Sequence, residues 1–113
     1  MSDALRDLLR SAPGAGELTG PDVRTGTASH PVCGDEVEVF LRVADGVIAE
    51  FAWRARGCPA CVAVAAAARD ALQGGAPEGA ERRLAERVAR LGGLGPAERH
   101  ALDLVATAIR SAR

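Results

Sequence analysis

The chain has 113 residues, a length that fits one domain built around one core. Its 14 arginines nearly balance 15 acidic residues and form no basic run, which argues against nucleic-acid binding. We read no signal peptide near Met1 and no apolar stretch long enough for a membrane span, so we expect a cytoplasmic protein without a membrane partner. Three cysteines in such a chain favour metal or thiol chemistry over a disulfide framework.

The first part of the chain predicts a helix, a loop and a weak strand. Residues 2–10 have the caps and the apolar face of a short helix. Residues 11–20 are rich in Gly, Pro and Ala, which is typical of a loop. Residues 21–32 show no clean period, so we expect only a short edge strand near Val23.

A β-hairpin is the clearest local signal. Apolar and polar residues alternate from Val37 to Val43, and Ala44-Asp45-Gly46 predicts the turn that joins this strand to a second one. Alternation places these second-strand residues on the buried face: Val47, Ala49, Phe51, Trp53 and Ala55. It places the following residues mostly on the other face: Ile48, Glu50, Arg54 and Arg56.

After Gly57 the period becomes helical. Helices are predicted over residues 60–72, 79–91 and 97–112, and glycine-rich breaks separate them. Strands followed by helices predict an α+β fold, in which a small antiparallel sheet, the hairpin plus the edge strand, is covered on one face by helices.

We therefore expect one domain over residues 1–113. Its parts are the N-terminal helix and loop at 1–20, the sheet at 21–57 and the helices at 58–113.

The hairpin also determines where the cysteines lie. Cys33-Gly34-Asp35 precedes the first strand and Gly57-Cys58 follows the second, so antiparallel pairing brings both segments to one edge of the sheet. Cys58 also begins a helix, and a helix N-terminus favours a thiolate. Thiolates are soft ligands for zinc, copper(I) and iron–sulfur clusters, and they can accept a sulfur atom as a persulfide.

This arrangement resembles a known family. The pattern starts with His30-Pro31-Val32-Cys33-Gly34-Asp35 and continues with a hairpin of about twenty residues, Gly57-Cys58 and a helix of small residues. In order and spacing it is similar to the NifU/IscU-type iron–sulfur cluster assembly scaffolds, which include the SufU branch. The likeness continues more faintly over residues 20–112. The fold of that family, an antiparallel sheet with helices on one face, agrees with the one predicted here.

The resemblance implies a function as well as a site. Cys33 and Cys58 would bind iron, a [2Fe–2S]-type cluster or zinc, and Asp35 would be a further ligand or a group that tunes cluster release. The protein would be a scaffold or carrier more than an enzyme, receiving sulfur from a cysteine desulfurase and passing clusters to recipient apo-proteins. The alternative within the family is a SufU-like, zinc-bound acceptor of persulfide sulfur on Cys58, which would make it a sulfurtransferase.

One departure from the family leaves the ligand set open. Family members carry a third cysteine after a histidine near the last helix, where this chain has His100-Ala101. Cys61, one helical turn after Cys58, has no counterpart in the family. A tetrahedral site needs four donors, so the fourth is either Cys61 or His100, with Cys61 slightly preferred.

Two further readings stay open. Cys58-Pro59-Ala60-Cys61 could be a dithiol–disulfide redox pair, although this leaves Cys33-Gly34-Asp35 unexplained. The chain could also be a relative that has lost its metal and only binds partners. The sequence does not determine the oligomeric state.

Overall fold

The protein is a layer of helices packed on one sheet, and its computed structural model describes residues 1–32 and 34–112. The strands of the antiparallel sheet are, in spatial order, β1 (Val23–Ser29), β2 (Glu36–Ala44) and β3 (Val47–Arg56). The helices are α1 (Asp3–Ser11), α2 (Pro59–Leu72), α3 (Ala80–Arg90) and α4 (Arg99–Ser111). A 3-10 turn, Pro96–Glu98, leads into α4.

The predicted α+β class is confirmed. Helix α2 packs on β3, and α4 packs on β1 and β2, so the helices cover one face of the sheet. Strand β1 is longer than predicted, because all seven of its residues pair with β2 although they lack a hydrophobic period. None of the described helices combines the length and the apolar character needed to cross a membrane.

Helix α2 lies at the centre of the core. Residues 63–68 of this helix are completely buried, because β3 contacts it on one side and the other three helices on the remaining sides. Alanine and valine make this possible, since small side chains let neighbouring elements approach closely. This packing fixes the direction of α2 and therefore the position of its N-terminus, where Cys58 lies.

A β-bulge changes the face assignment at the start of β3. The register between β2 and β3 shifts between Arg42 and Val43, so Ala49 has no strand partner. As a result Ile48 is fully buried, whereas Val47 is 37% exposed and Ala49 is exposed. The predicted faces of these three residues are therefore wrong, because one extra residue inverts the alternation.

Ion pairs cover the outer face of the sheet. Arginine and glutamate side chains face each other across β2 and β3 in the pairs Glu36–Arg56, Glu38–Arg54 and Glu50–Arg42. The guanidinium of Arg54 also lies 5.6 Å from the centre of the Phe40 ring. These arginines are thus paired with carboxylates on the face away from the helices.

Both edges of the sheet are partly occupied by other segments, which the sequence did not indicate. Beside β3, the Gly14 carbonyl accepts the Trp53 N–H and the Gly16 N–H donates to the Trp53 carbonyl. Beside β1, the Ser111 hydroxyl contacts both the N–H and the carbonyl of Thr27, at 3.0 and 3.2 Å. The N-terminal loop and the end of α4 therefore hold the two outer strands.

Gly26 gives a test of the contact between α4 and β1. A β-carbon at Gly26 would lie 1.9 Å from the Ala108 carbonyl oxygen, so Gly26→Ala must push the helix away from the strand. We expect the free energy of unfolding in urea to fall by about 3 kcal/mol. Thr25→Ala, on the exposed face of the same strand, is the control and should cost about 1 kcal/mol or less. Equal losses in the two variants would contradict this packing.

Candidate metal centre

The sheet brings two chemically active segments together at one end. Glu36 pairs with Arg56, so the loop before β2 and the turn after β3 are neighbours, as the hairpin register predicts. Asp35 and Cys58 lie in these two segments and are in direct contact. Cys33, the other predicted ligand of this loop, lies outside the described residues.

Asp35 is the buried centre of this site, with only 2% of its surface exposed. Its Oδ1 accepts a 2.8 Å hydrogen bond from the backbone N–H of Cys58. Its Oδ2 lies 3.0 Å from Nε2 of His100 and 3.8 Å from Sγ of Cys61. The Cys58 N–H bond, aided by His100, outweighs burial and holds the pKa of Asp35 below its ordinary value, so the carboxyl is ionised at neutral pH.

The ionised carboxylate determines the protonation of its neighbours. A carboxylate only accepts hydrogen bonds, so Nε2 of His100 carries the proton in this contact, and the Cys61 thiol is the donor in the other. A metal ion at this point would replace those protons, because a metal binds the thiolate and the unprotonated imidazole nitrogen.

Gly57 allows the carboxylate to reach the helix N-terminus. Its φ of +106° is a backbone conformation that glycine adopts readily and other residues rarely adopt. A β-carbon at this position would lie 2.2 Å from Oδ1 of Asp35. The absence of a side chain at Gly57 therefore makes room for the hydrogen bond between Asp35 and Cys58.

Four potential metal ligands converge at this point. One donor atom from each of Asp35, Cys58, Cys61 and His100 lies within 4.8 Å of the other three. In a tetrahedral zinc site, donors 2.0–2.3 Å from the metal are about 3.3–3.8 Å apart, so small side-chain movements would complete the site. Two sulfurs, one nitrogen and one oxygen also suit zinc or iron chemically. The structure thus brings together both Cys61 and His100, between which the sequence did not decide.

The two described cysteines differ in their surroundings. Cys58 is the N-cap residue of α2 and is half-buried, whereas Cys61 is completely buried in the first turn of that helix. Burial, and secondly the negative charge of Asp35, raise the pKa of Cys61 to about 12. In the absence of metal Cys61 is therefore a neutral thiol beneath the more accessible Cys58.

His100 and Ala101, at the start of α4, have different surroundings. The His100 side chain is 27% exposed and turns to Asp35, while Ala101 is completely buried in the core. The position at which the family resemblance implies a third cysteine is thus filled by a small core residue. The contact of the partly exposed His100 ring with Asp35 makes His100 part of the site.

His30 is a neighbour of the site that sequence reasoning missed. Its ring lies edge-on to the His100 ring, with centroids 5.6 Å apart and an angle of 63° between the planes. The backbone N–H of His30 donates to the Asp35 carbonyl at 2.8 Å, and the backbone carbonyl of His30 accepts the Gly34 N–H at 2.8 Å. No hydrophobic period marks the extension of β1 to Ser29, which places His30 beside the start of β2, so no sequence pattern indicated this contact.

A comparison of the sequence with protein families decides the relationship. Residues 3–113 match the NifU-like N-terminal domain. The chain belongs to this family. An iron–sulfur cluster assembly scaffold protein from Archaeoglobus fulgidus, IscU 1, is 31% identical over 112 residues, which are 98% of this chain and 72% of the relative. The scaffold protein IscU of Azotobacter vinelandii is 29% identical over 98% of this chain and 89% of its own length.

Solved structures show that the fold of this NifU-like chain is shared. A NifU-like N-terminal protein from Brucella abortus superimposes with a TM-score of 0.67 at 23% identity, covering 96% of this chain and 91% of the other. The protein from Fervidobacterium islandicum AW-1 named SufU gives a TM-score of 0.74 at 15% identity, covering 99% and 95% of the two chains. At these identities the likeness is one of fold.

The glycine at position 57 gives a test of the site. Gly57→Ala should displace the Asp35 carboxylate, and we expect cobalt(II) affinity, measured from the visible absorption of the ion, to fall at least about tenfold. Gly46→Ala is the matched control, because Gly46 also has a positive φ of +78° but has nothing within 4 Å of a new β-carbon. Both variants share the backbone strain, so an equal loss of cobalt affinity in both would contradict the proposed role of Gly57.

The raised pKa of Cys61 predicts its reactivity. In metal-free protein we expect iodoacetamide at pH 8 to modify Cys58 much faster than Cys61, because alkylation requires an accessible thiolate. The Cys61 rate should rise about tenfold per pH unit above pH 8 while the fold persists, since the thiolate fraction grows that way below a pKa of about 12. Peptide mapping by mass spectrometry measures both rates, and urea-unfolded protein is the control in which the difference should vanish.

Proposed function

We propose that this NifU-like chain is a cytoplasmic iron–sulfur cluster assembly scaffold. The observation that carries the proposal is the convergence of Asp35, Cys58, Cys61 and His100 at one end of the sheet. Its membership of the NifU-like family, with IscU scaffold proteins among its relatives, supports the same function. The cluster is cargo in this view, and we propose that it is of the [2Fe–2S] type.

The donor set suits cargo that must both bind and leave. Thiolates hold iron in protein clusters, whereas carboxylate and imidazole are harder ligands that exchange more readily. In the metal-free state Oδ2 of Asp35 and Nε2 of His100 bind each other, so departure of the cargo leaves neither group without a partner. Cys33, at the same end of the chain's hairpin in sequence, would supply a further thiolate.

Asp35 has two functions in this proposal. Its Oδ1 is engaged by the Cys58 N–H, which fixes the carboxylate, and its Oδ2 remains directed to the other donors. It is therefore a ligand through Oδ2, and its hydrogen bond to the helix N-terminus sets the position of Cys58. We propose that a cysteine desulfurase supplies the sulfur and that recipient apo-proteins accept the finished cluster.

A second candidate function is a zinc-bound acceptor of persulfide sulfur. The four described donors fit a tetrahedral zinc ion without Cys33, and Cys58 is the more exposed of the two described thiols, where a desulfurase could deliver sulfur to it. In this case zinc stabilises the site and the mobile cargo is sulfur alone.

Anaerobic reconstitution tests the scaffold function. Addition of Fe²⁺ and sulfide should give a visible charge-transfer absorption with stoichiometric iron and sulfide, and Cys58→Ala should abolish it because a thiolate ligand is lost. Val62→Ala, a half-buried residue on the same helix, is the control and should retain the absorption. If the wild-type protein stays colourless and retains about one zinc per chain after purification, the scaffold function is contradicted and the zinc-bound acceptor is supported.

A further inference from the structure

We propose that Cys61 is a resolving thiol, which expels as sulfide a sulfur atom carried on Cys58 and closes a Cys58–Cys61 disulfide. This inference deepens the proposed function, since it rests on Cys58 accepting sulfur. It explains a residue that the family resemblance left without a counterpart.

The juxtaposition of the two sulfurs carries the proposal. Both donor atoms belong to the cluster whose members lie within 4.8 Å of one another. The Cys61 N–H donates to the Cys58 carbonyl at 3.0 Å, which closes a turn at the start of α2. The α-carbons of residues three apart in such a turn lie within about 7 Å, and disulfides span roughly 4.4–6.8 Å, so the bond can form without unwinding the helix.

Burial assigns different roles to the two thiols. Cys58 is half-buried, so an external persulfide can reach it, whereas Cys61 is completely buried and is reached less readily from solvent than by what Cys58 carries. Burial also makes the Cys61 thiolate scarce. Proximity offsets this, because a well-oriented partner within the same molecule acts at an effective concentration of about 10⁵ M or more.

The chemistry is balanced in two steps. A persulfide donor transfers its terminal sulfur to Cys58, which becomes Cys58–S–SH, and the donor leaves as a thiol. Sγ of Cys61 then bonds to Sγ of Cys58, the bond to the terminal sulfur breaks, and that sulfur leaves with the bonding electron pair and the Cys61 proton as H₂S. The thiol pair is oxidised to a disulfide while the carried sulfur is reduced to sulfide, and an external dithiol must later reduce the disulfide.

The consequence is an internal source of electrons. Iron–sulfur clusters contain sulfur as sulfide. The terminal sulfur of a persulfide is more oxidised and must gain two electrons to become sulfide. Oxidation of the buried Cys61 thiol supplies these electrons next to Asp35 and His100, which are the proposed iron ligands. Sulfide is thus released beside the metal ligands.

The experiment uses the full chain after EDTA treatment, since a bound metal would hold both thiolates. Glutathione persulfide is the sulfur donor, and excess donor is removed by rapid desalting before sulfide is measured without added reductant. We expect sulfide release together with a Cys58–Cys61 disulfide in the peptide map. In Cys61→Ala and Cys61→Ser the extra sulfur should remain on Cys58, with release at least tenfold slower, while the matched control Val62→Ala should behave as wild type.

Three outcomes overturn the inference. These are a wild-type persulfide on Cys58 that releases no sulfide, release accompanied by a Cys33–Cys58 disulfide, and unchanged release from a folded Cys61 variant. If both Cys61 variants fail to fold, the wild-type peptide map still tests the inference, because it shows whether a Cys58–Cys61 disulfide forms as sulfide is released. Anaerobic iron–sulfide reconstitution of the wild type tests the scaffold function separately, because sulfide is then supplied directly.

Discussion

The hydrogen bond from the Cys58 N–H to the Asp35 carboxylate is the contact on which this site depends. It joins the loop before β2 to the start of α2, and the second carboxylate oxygen extends the connection to His100 on α4. A buried carboxylate is costly unless its oxygens find donors, so the fold gains these contacts only when all three elements are correctly placed. Asp35 thus links the chemistry of the site to the packing of the domain.

The part of the site that could be predicted from sequence followed from local rules. Alternation and a turn fixed the hairpin, and an antiparallel hairpin necessarily returns its end to its beginning, which brings Asp35 to Cys58. The shift to an alanine-rich helix after Gly57 identified α2, because only a helix buried on several sides tolerates so little polarity. Fold class and the proximity of Asp35 and Cys58 were therefore accessible without coordinates.

The rest depended on long-range geometry that no local pattern records. The bulge at Ala49 inserts one residue into a strand whose sequence still alternates plausibly, so the wrong face was assigned to Ile48. His100 lies on a separate helix at the border of its apolar stripe, and only the packing of α4 on the sheet turns it to Asp35. His30 was missed because the strand before it has no hydrophobic period.

The occupied edges of the sheet limit how this protein can meet another. An open edge strand offers unpaired amide and carbonyl groups that invite a foreign β-strand. Here the segment around Gly14 lies along β3, and the Ser111 hydroxyl takes up the main-chain groups of Thr27 on β1. Association by strand addition would compete with these contacts, so the surface favours recognition through side chains and shape over a shared ladder of main-chain bonds.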